Sequence, residues 1–185
     1  MPRLDLPVKV TLLSHPKEKK SKSSVMPMKL LSPDKVDYVS SAEAPDFLTD
    51  GTDPNDIAVL FPSEDAIEVT EMSEAELRSL KRVVIIDSTW NQCKRYVVSD
   101  NIKCLRKVKI KTEKTVFWRY QTGNIDSSLS SAEALYFFFR DYEVALNCPG
   151  KDYEKYSGVW DNLLWYYAFN FKLIQGEYHR RQQDF

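Results

Sequence analysis

An α/β fold, with a mostly parallel sheet covered by flanking helices, is what this sequence predicts, and three observations predict it. Two apolar runs, Ile57 to Phe61 and Val83 to Ile86, are continuous rather than alternating, the pattern of strands buried on both faces. Segments with helical spacing and capping signals follow them, so that strand and helix alternate along the chain. Both runs also stop on residues suited to a ligand rather than to a core, Pro62 and Ser63 in the first and Asp87 in the second. In parallel sheets the strands' carboxyl ends open onto the binding crevice.

The elements follow in order. "VKVTLL" (8 to 13) reads as a first strand, and "HPKEKKSKSS" (15 to 24) as a basic loop. "MKLLS" and "VDYVS" read as short extended segments around Pro33, and residues 42 to 56 as a turn-rich, acidic surface loop. After the Ile57 run, "SEAELRSL" (73 to 80) predicts a short helix whose Ser73 and Glu76 form a capping box. "RVVIID" is a buried strand and "TWNQCKRYVVSD" a helix beyond it. "CLRKVKI" (104 to 110) alternates Leu105, Val108 and Ile110 among bases, and "TVFWRY" is a further extended candidate. A long helix starts at "LSSAE", with Ser130 and Glu133 as a second capping box and Ala134, Leu135, Phe138, Tyr142 and Ala145 at helical spacing. A last helix, about 160 to 179, is dense in aromatics that are expected to be core or packing contacts.

Composition sets the limits. With 185 residues, 43% apolar and 29% charged, the chain fits a single domain over 1 to 185. It holds no apolar stretch of membrane-spanning length, and its first residues lack the apolar core and cleavage site of a signal peptide. An intracellular protein, of nucleus or cytoplasm, is expected. Cys93, Cys104 and Cys148 are odd in number and without CxxC spacing, which argues against a disulfide framework and a structural zinc site.

Net charge is −1, yet residues 41 to 79 carry eleven acids against Arg78, and residues 94 to 119 carry nine bases against Asp100 and Glu113. Either the two blocks pair in space or the second is a positive face. Tyr96, Phe117, Trp118 and Tyr120 are interleaved with those bases, which tilts the second reading toward RNA, whose phosphates cations hold and whose unpaired bases stack on rings.

Three loops qualify as a site: the one after residue 61, the one after residue 86, and the one before residue 131. Each opens, or nearly opens, a helix whose first N–H groups are unpaired and favour an anion. A plainer reading stands beside it, in which Asp87, Ser88 or Thr89 is an N-cap, Ser130 and Glu133 only a capping box, and Trp90 a wedge between helix and sheet.

At these residues the chain resembles the DTW-domain family, closest to its eukaryotic tRNA-uridine aminocarboxypropyltransferases. "LFPS" (60 to 63), "IDSTWNQ" (86 to 92), "FWRYQTG" (117 to 123), "LSSAEALYFFFRDY" (129 to 142) and "WDNLL" (160 to 164) carry the resemblance, in that order. "HPKEKKSKSS" is more loosely similar to the family's early His-Pro segment. The resemblance implies a SPOUT-like fold with a C-terminal trefoil knot that binds S-adenosylmethionine. It also implies transfer of the 3-amino-3-carboxypropyl arm to N3 of a tRNA uridine, in the D-loop, with release of methylthioadenosine. No metal is implied, and no protein partner is indicated.

On that resemblance Asp87 is the candidate base for the N3 proton, or the group that orients the uridine, and Trp90 walls the donor pocket or stacks on uracil. Leu60, Pro62 and Ser63 would line the adenosine side, while Ser88, Thr89, Leu129, Ser130, Ser131 and Glu133 complete the donor site, whose helix start suits the donor carboxylate. Lys94, Arg95, Arg106, Lys107, Lys109 and Arg119 are the expected phosphate contacts. Departures from the family pattern are an absent upstream segment with CxxC pairs, Ser130-Ser131 in place of Ser-Thr, and the acidic "EDAIEVTEMSEAEL" (64 to 77) where relatives often carry a basic insertion. Two rivals share the tRNA partner: a SPOUT-like RNA methyltransferase and a non-catalytic RNA-binding module.

Overall fold

The computed structural model describes residues 2–20, 23–111, 113–115 and 129–183. Six strands, β1 (Lys9–Ser14), β2 (Val36–Ser40), β3 (Ile57–Leu60), β4 (Ile67–Glu68), β5 (Arg82–Asp87) and β6 (Arg106–Lys109), form one sheet in the order β2-β1-β5-β3-β6-β4. Every pairing is parallel. The helices are α1 (Met28–Leu31), α2 (Glu74–Ser79), α3 (Trp90–Val97), α4 (Asp100–Lys103), α5 (Ser131–Asn147) and α6 (Trp165–Gln183).

The continuous apolar runs have the physical cause that their pattern predicts. Along β5 the residues alternate between two cores: Val83 and Ile85 pack with Leu135, Phe138 and Phe139 of α5, while Val84 and Ile86 pack with Cys93, Tyr96 and Val97 of α3. Each face of the strand is covered, so neither set can be polar. Val10, Leu12, Val83, Val84 and Phe138 are essentially inaccessible to solvent.

Both predicted capping boxes form, at Ser73 with Glu76 and at Ser130 with Glu133. Three elements differ from the expectation. "MKLLS" is a helical turn rather than extended chain, because Met28 and Leu31, three residues apart, bury one face while Val25 and Pro27 start the turn. The two-residue β4 carries too little periodicity to be read from sequence. The aromatic helix is split: a 3₁₀ turn over Asp161–Leu164 precedes α6, Trp160 and Tyr167 are buried, and Trp165, Phe169 and Phe171 are exposed. The packing expectation therefore holds only for the beginning of this segment. The "TVFWRY" strand candidate lies outside the described residues from Val116 onward.

Helix α5 also secures the chain beyond β6. Arg140 pairs with Glu113 at 2.6 Å and with its neighbour Asp141 at 3.1 Å. The fully buried Asp141 accepts further hydrogen bonds from the Tyr153 hydroxyl (3.0 Å) and the Lys111 N–H (3.3 Å). Burial pushes the Asp141 carboxyl up, with Arg140 opposing the shift.

The exposure of Phe169 on α6 can be tested against a ring of the closed core on α5. Phe138→Ala is expected to cost about 3–5 kcal/mol as a large deletion in a closed core. Phe169→Ala, 48% exposed, should stay within about 0.5 kcal/mol. Denaturant unfolding of both variants checks this, and equal losses would mean that Phe169 is covered.

Candidate active site

Parallel pairing brings the carboxyl ends of β1, β5 and β3 to one edge of the sheet. From β1 the chain moves outward to β2, and from β5 it moves the other way to β6. The crevice between the carboxyl ends of β1 and β5 is thus a switch point, where open α/β sheets bind ligands. Ser14 ends β1 directly opposite Asp87, which ends β5. Strand β3 stops opposite Ile85, so Asp87 stands beyond its other neighbour.

Asp87 is held from two sides. Its Oδ1 accepts from the Ser131 hydroxyl at 2.7 Å and its Oδ2 from the Ser23 hydroxyl at 2.5 Å. Ser23 Oγ itself accepts from the Met26 N–H at 3.2 Å, so its one proton is directed to Asp87. The adjacent Ser24 Oγ accepts from the Ala132 N–H at 3.2 Å, and Ser88 Oγ accepts from the His15 N–H at 3.0 Å. The loop from His15 to Ser24 is therefore fastened at both ends, to the turn after β5 and to the first turn of α5.

The start of α5 is built around a buried acid. Ser130 N–H donates to Glu133 Oε2 at 2.8 Å, Glu133 N–H donates to Ser130 Oγ at 3.3 Å, and Thr115 Oγ1 adds a bond to Glu133 at 3.0 Å. Tyr167, from α6, lies against this group. Its burial and the Glu133 charge both push its phenol up.

Thr89 N–H and Oγ1 both donate to Gln92 Oε1, at 3.0 and 2.8 Å, which closes the first turn of α3. Beneath it the Cys93 thiol faces the Ser88 and Ile86 carbonyls at 3.4 and 3.6 Å. Burial pushes that thiol up to about 11, so Cys93 is a packing group rather than a thiolate nucleophile.

The residues singled out in the sequence sort as follows. Asp87, Ser88, Ser130, Ser131 and Glu133 come together at one edge, with Thr89 beside them as a cap and Leu129 half-buried before the helix. Leu60 lies in the same core as Ala132, and Pro62 and Ser63 leave the end of β3. Lys94 and Arg95 are exposed on α3 without an acidic partner among the described residues. Arg106 pairs with Glu76 at 3.0 Å and Lys107 with Asp65 at 2.9 Å, their side chains only 13% and 12% exposed. For these two, the acidic and basic blocks pair in space. Lys109 is half-buried on β6. Arg119, with Phe117, Trp118 and Tyr120, lies outside the described residues, as does the side chain of Trp90.

Sequence reasoning missed Ser23, Ser24 and His15. A signal was available, because their loop leaves the carboxyl end of a strand just as the other candidate loops do. Its lysines mark it as solvated and conceal the serines that turn inward. Among the described residues no cluster of His, Cys, Asp and Glu could hold a metal ion, and no helix is long and apolar enough to cross a membrane.

Comparison with known proteins identifies the family. The family model for the DTW domain matches residues 1–174. The tRNA-uridine aminocarboxypropyltransferase 1 of Mus musculus is 31% identical over 214 residues, covering 95% of this chain and 68% of that protein. Proteins of the same name from Homo sapiens and Xenopus laevis are 29% and 27% identical, covering 91% and 94% of this chain and 66% and 70% of their own lengths. No solved structure matches.

The burial of Cys93 beneath the site has a measurable consequence. In native protein at mildly alkaline pH, iodoacetamide is expected to modify exposed Cys104 and to spare Cys93, read by peptide mass spectrometry. The stability that comes from burying the neutral thiol is present below the free-thiol pKa of about 8.5 and is lost as pH climbs toward about 11. Equal labelling of the two thiols would contradict this packing.

Proposed function

We propose that this chain, which belongs to the DTW-domain family, is a tRNA-uridine aminocarboxypropyltransferase: it moves the 3-amino-3-carboxypropyl group of S-adenosylmethionine to N3 of a uridine, in the tRNA D-loop. The observation that carries the proposal is the fixing of Asp87, at the switch point of a parallel sheet, between Ser23 and Ser131 at the start of α5. The relatives' names supply the reaction class. Extending the reading to fold, we assign the chain to the SPOUT-like class with a C-terminal trefoil knot. Support comes from β6, which lies between β3 and β4 although residues 61–66 join those two strands directly.

The residues fit the donor. A carboxylate suits the first N–H groups of α5, of which the Ala132 N–H now bonds the Ser24 hydroxyl. Leu60, Pro62 and Ser63 offer an apolar and polar wall for an adenosine, with Ser88, Thr89, Leu129, Ser130 and Glu133 around the helix start. As substrate, S-adenosylmethionine supplies a carbon beside a sulfonium leaving group.

What remains for the protein is the nucleophile and its orientation. N3 of uridine bears a proton and is a weak nucleophile until that proton is accepted. Asp87 takes the proton from N3 as the new N–C bond forms and the C–S bond breaks, leaving methylthioadenosine. Donor orientation decides which carbon meets N3, hence aminocarboxypropyl rather than methyl transfer. Trp90, the first residue of α3, is assigned the role of donor-pocket wall or of stacking partner for uracil. Phosphate contacts fall to Lys94 and Arg95, joined by Lys109 and Arg119; Arg106 and Lys107 join only by giving up Glu76 and Asp65.

Incubation of unmodified tRNA with the protein and S-adenosylmethionine, followed by nucleoside mass spectrometry, tests the reading; a methylated uridine, or none, would overturn it. Asp87→Asn is expected to lower the single-turnover rate by about 10²–10⁴-fold with melting temperature and donor affinity retained. Near-normal transfer would remove Asp87 from the chemistry.

A further inference from the structure

We infer that the described part of the loop after β1, residues 15–20, 23 and 24, is an RNA-gripping rim of the site, with Lys17, Lys19 and Lys20 contacting backbone phosphates next to the target nucleotide. The inference rests on the proposed tRNA substrate and adds a surface that the basic block 94–119 does not contain.

Position is the first ground. The loop is fastened at one end to Ser88, through His15 N–H, and at the other to Asp87 and to the Ala132 N–H, through Ser23 and Ser24. Lys17, Lys19 and Lys20 are thereby carried along the margin of the crevice in which Asp87 sits. A nucleotide reaching Asp87 passes this loop.

Charge is the second ground. Lys17, Lys19 and Lys20 are exposed, and none has a carboxylate partner among the described residues. The Lys20 ammonium lies over the Tyr38 ring, 4.5 Å from its centroid, a contact that positions the cation while leaving its charge uncancelled. Glu18 is the one acid of the loop and is half-buried. By contrast Arg106 and Lys107, the centre of the block that composition favours, are spent on Glu76 and Asp65.

Continuity is the third ground. The His15 ring meets Tyr96 edge-on at 6.5 Å, which packs the start of the loop on the helix that also carries Lys94 and Arg95. The hydrogen-bonded turn at His15, where Glu18 N–H reaches the His15 carbonyl at 2.9 Å and Lys17 N–H reaches its Nδ1 at 3.2 Å, sets the loop's shape in advance and limits the ordering cost of binding.

Binding of unmodified tRNA transcript without donor, followed by fluorescence anisotropy across a range of salt, tests the inference independently of transfer. Substituting Lys17, Lys19 and Lys20 together by Ala is expected to lower the slope of log affinity against log salt by about two to three, at about 0.9 per lost phosphate contact. The corresponding Lys→Arg triple should restore it, and R106A/K107A should leave the slope close to wild type. A loop-independent slope, or a loss confined to R106A/K107A, would overturn the inference while leaving the transferase reading intact. Failure of wild-type protein to bind tRNA would overturn both. Polyglutamate bound as tightly as tRNA, with the same variant sensitivity, would reassign the loop to an acidic partner and overturn it as an RNA contact.

Discussion

Every part of the candidate site depends on one constraint: all pairings of the sheet are parallel. Parallel strands cannot be joined by tight hairpins, so each connection must return across a face, and those returns bury the sheet on both sides. The same constraint puts the carboxyl end of each strand on one edge. Residues 15–24, 61–66 and 88–89 are far apart in sequence yet leave that edge together. The opposed exits of β1 and β5 then open the crevice, and the register Ser14↔Asp87 sets a carboxylate at its floor.

Much of this was legible in the chain because each signal was local. Continuous apolar runs identified β3 and β5, and two Ser-x-x-Glu sequences identified the starts of α2 and α5. What was not legible depends on tertiary partners. Met28 and Leu31 become helical because a core receives them, and β4 exists because β6 offers an edge. Trp165 and Tyr167 are similar by composition, yet one is exposed and the other packed on the Ser130–Glu133 pair. Helical spacing gives the angle between them but not which face meets the body. The inward turn of Ser23 and Ser24 was hidden for the same reason.

Charge shows a related asymmetry between sequence and space. The acidic stretch 41–79 and the basic stretch 94–119 suggest two opposed surfaces. Part of that contrast cancels where β6 passes residues 61–76, through Lys107 with Asp65 and Arg106 with Glu76. Paired, mostly buried bases contribute little to the field at a distance. Lysines at 17, 19 and 20, exposed and unpaired among the described residues, contribute more. Block counts along a sequence therefore locate cations without saying which of them remain available.

Asp87 brings the geometric and chemical readings together. A carboxylate has about four lone-pair sites, and the hydroxyls of Ser23 and Ser131 use one on each oxygen. A site on each oxygen remains, so in the proposed reaction a uridine N3–H would be received without displacing either serine. Orientation and proton acceptance would then be successive stages of one contact, the bond that aligns N3 in the ground state being the path along which its proton leaves. The two serines come from different segments, one from the loop after β1 and one from α5. The direction of that path is consequently fixed only when both segments are in place, which makes the carboxylate's aim a property of the assembled sheet edge rather than of β5 alone.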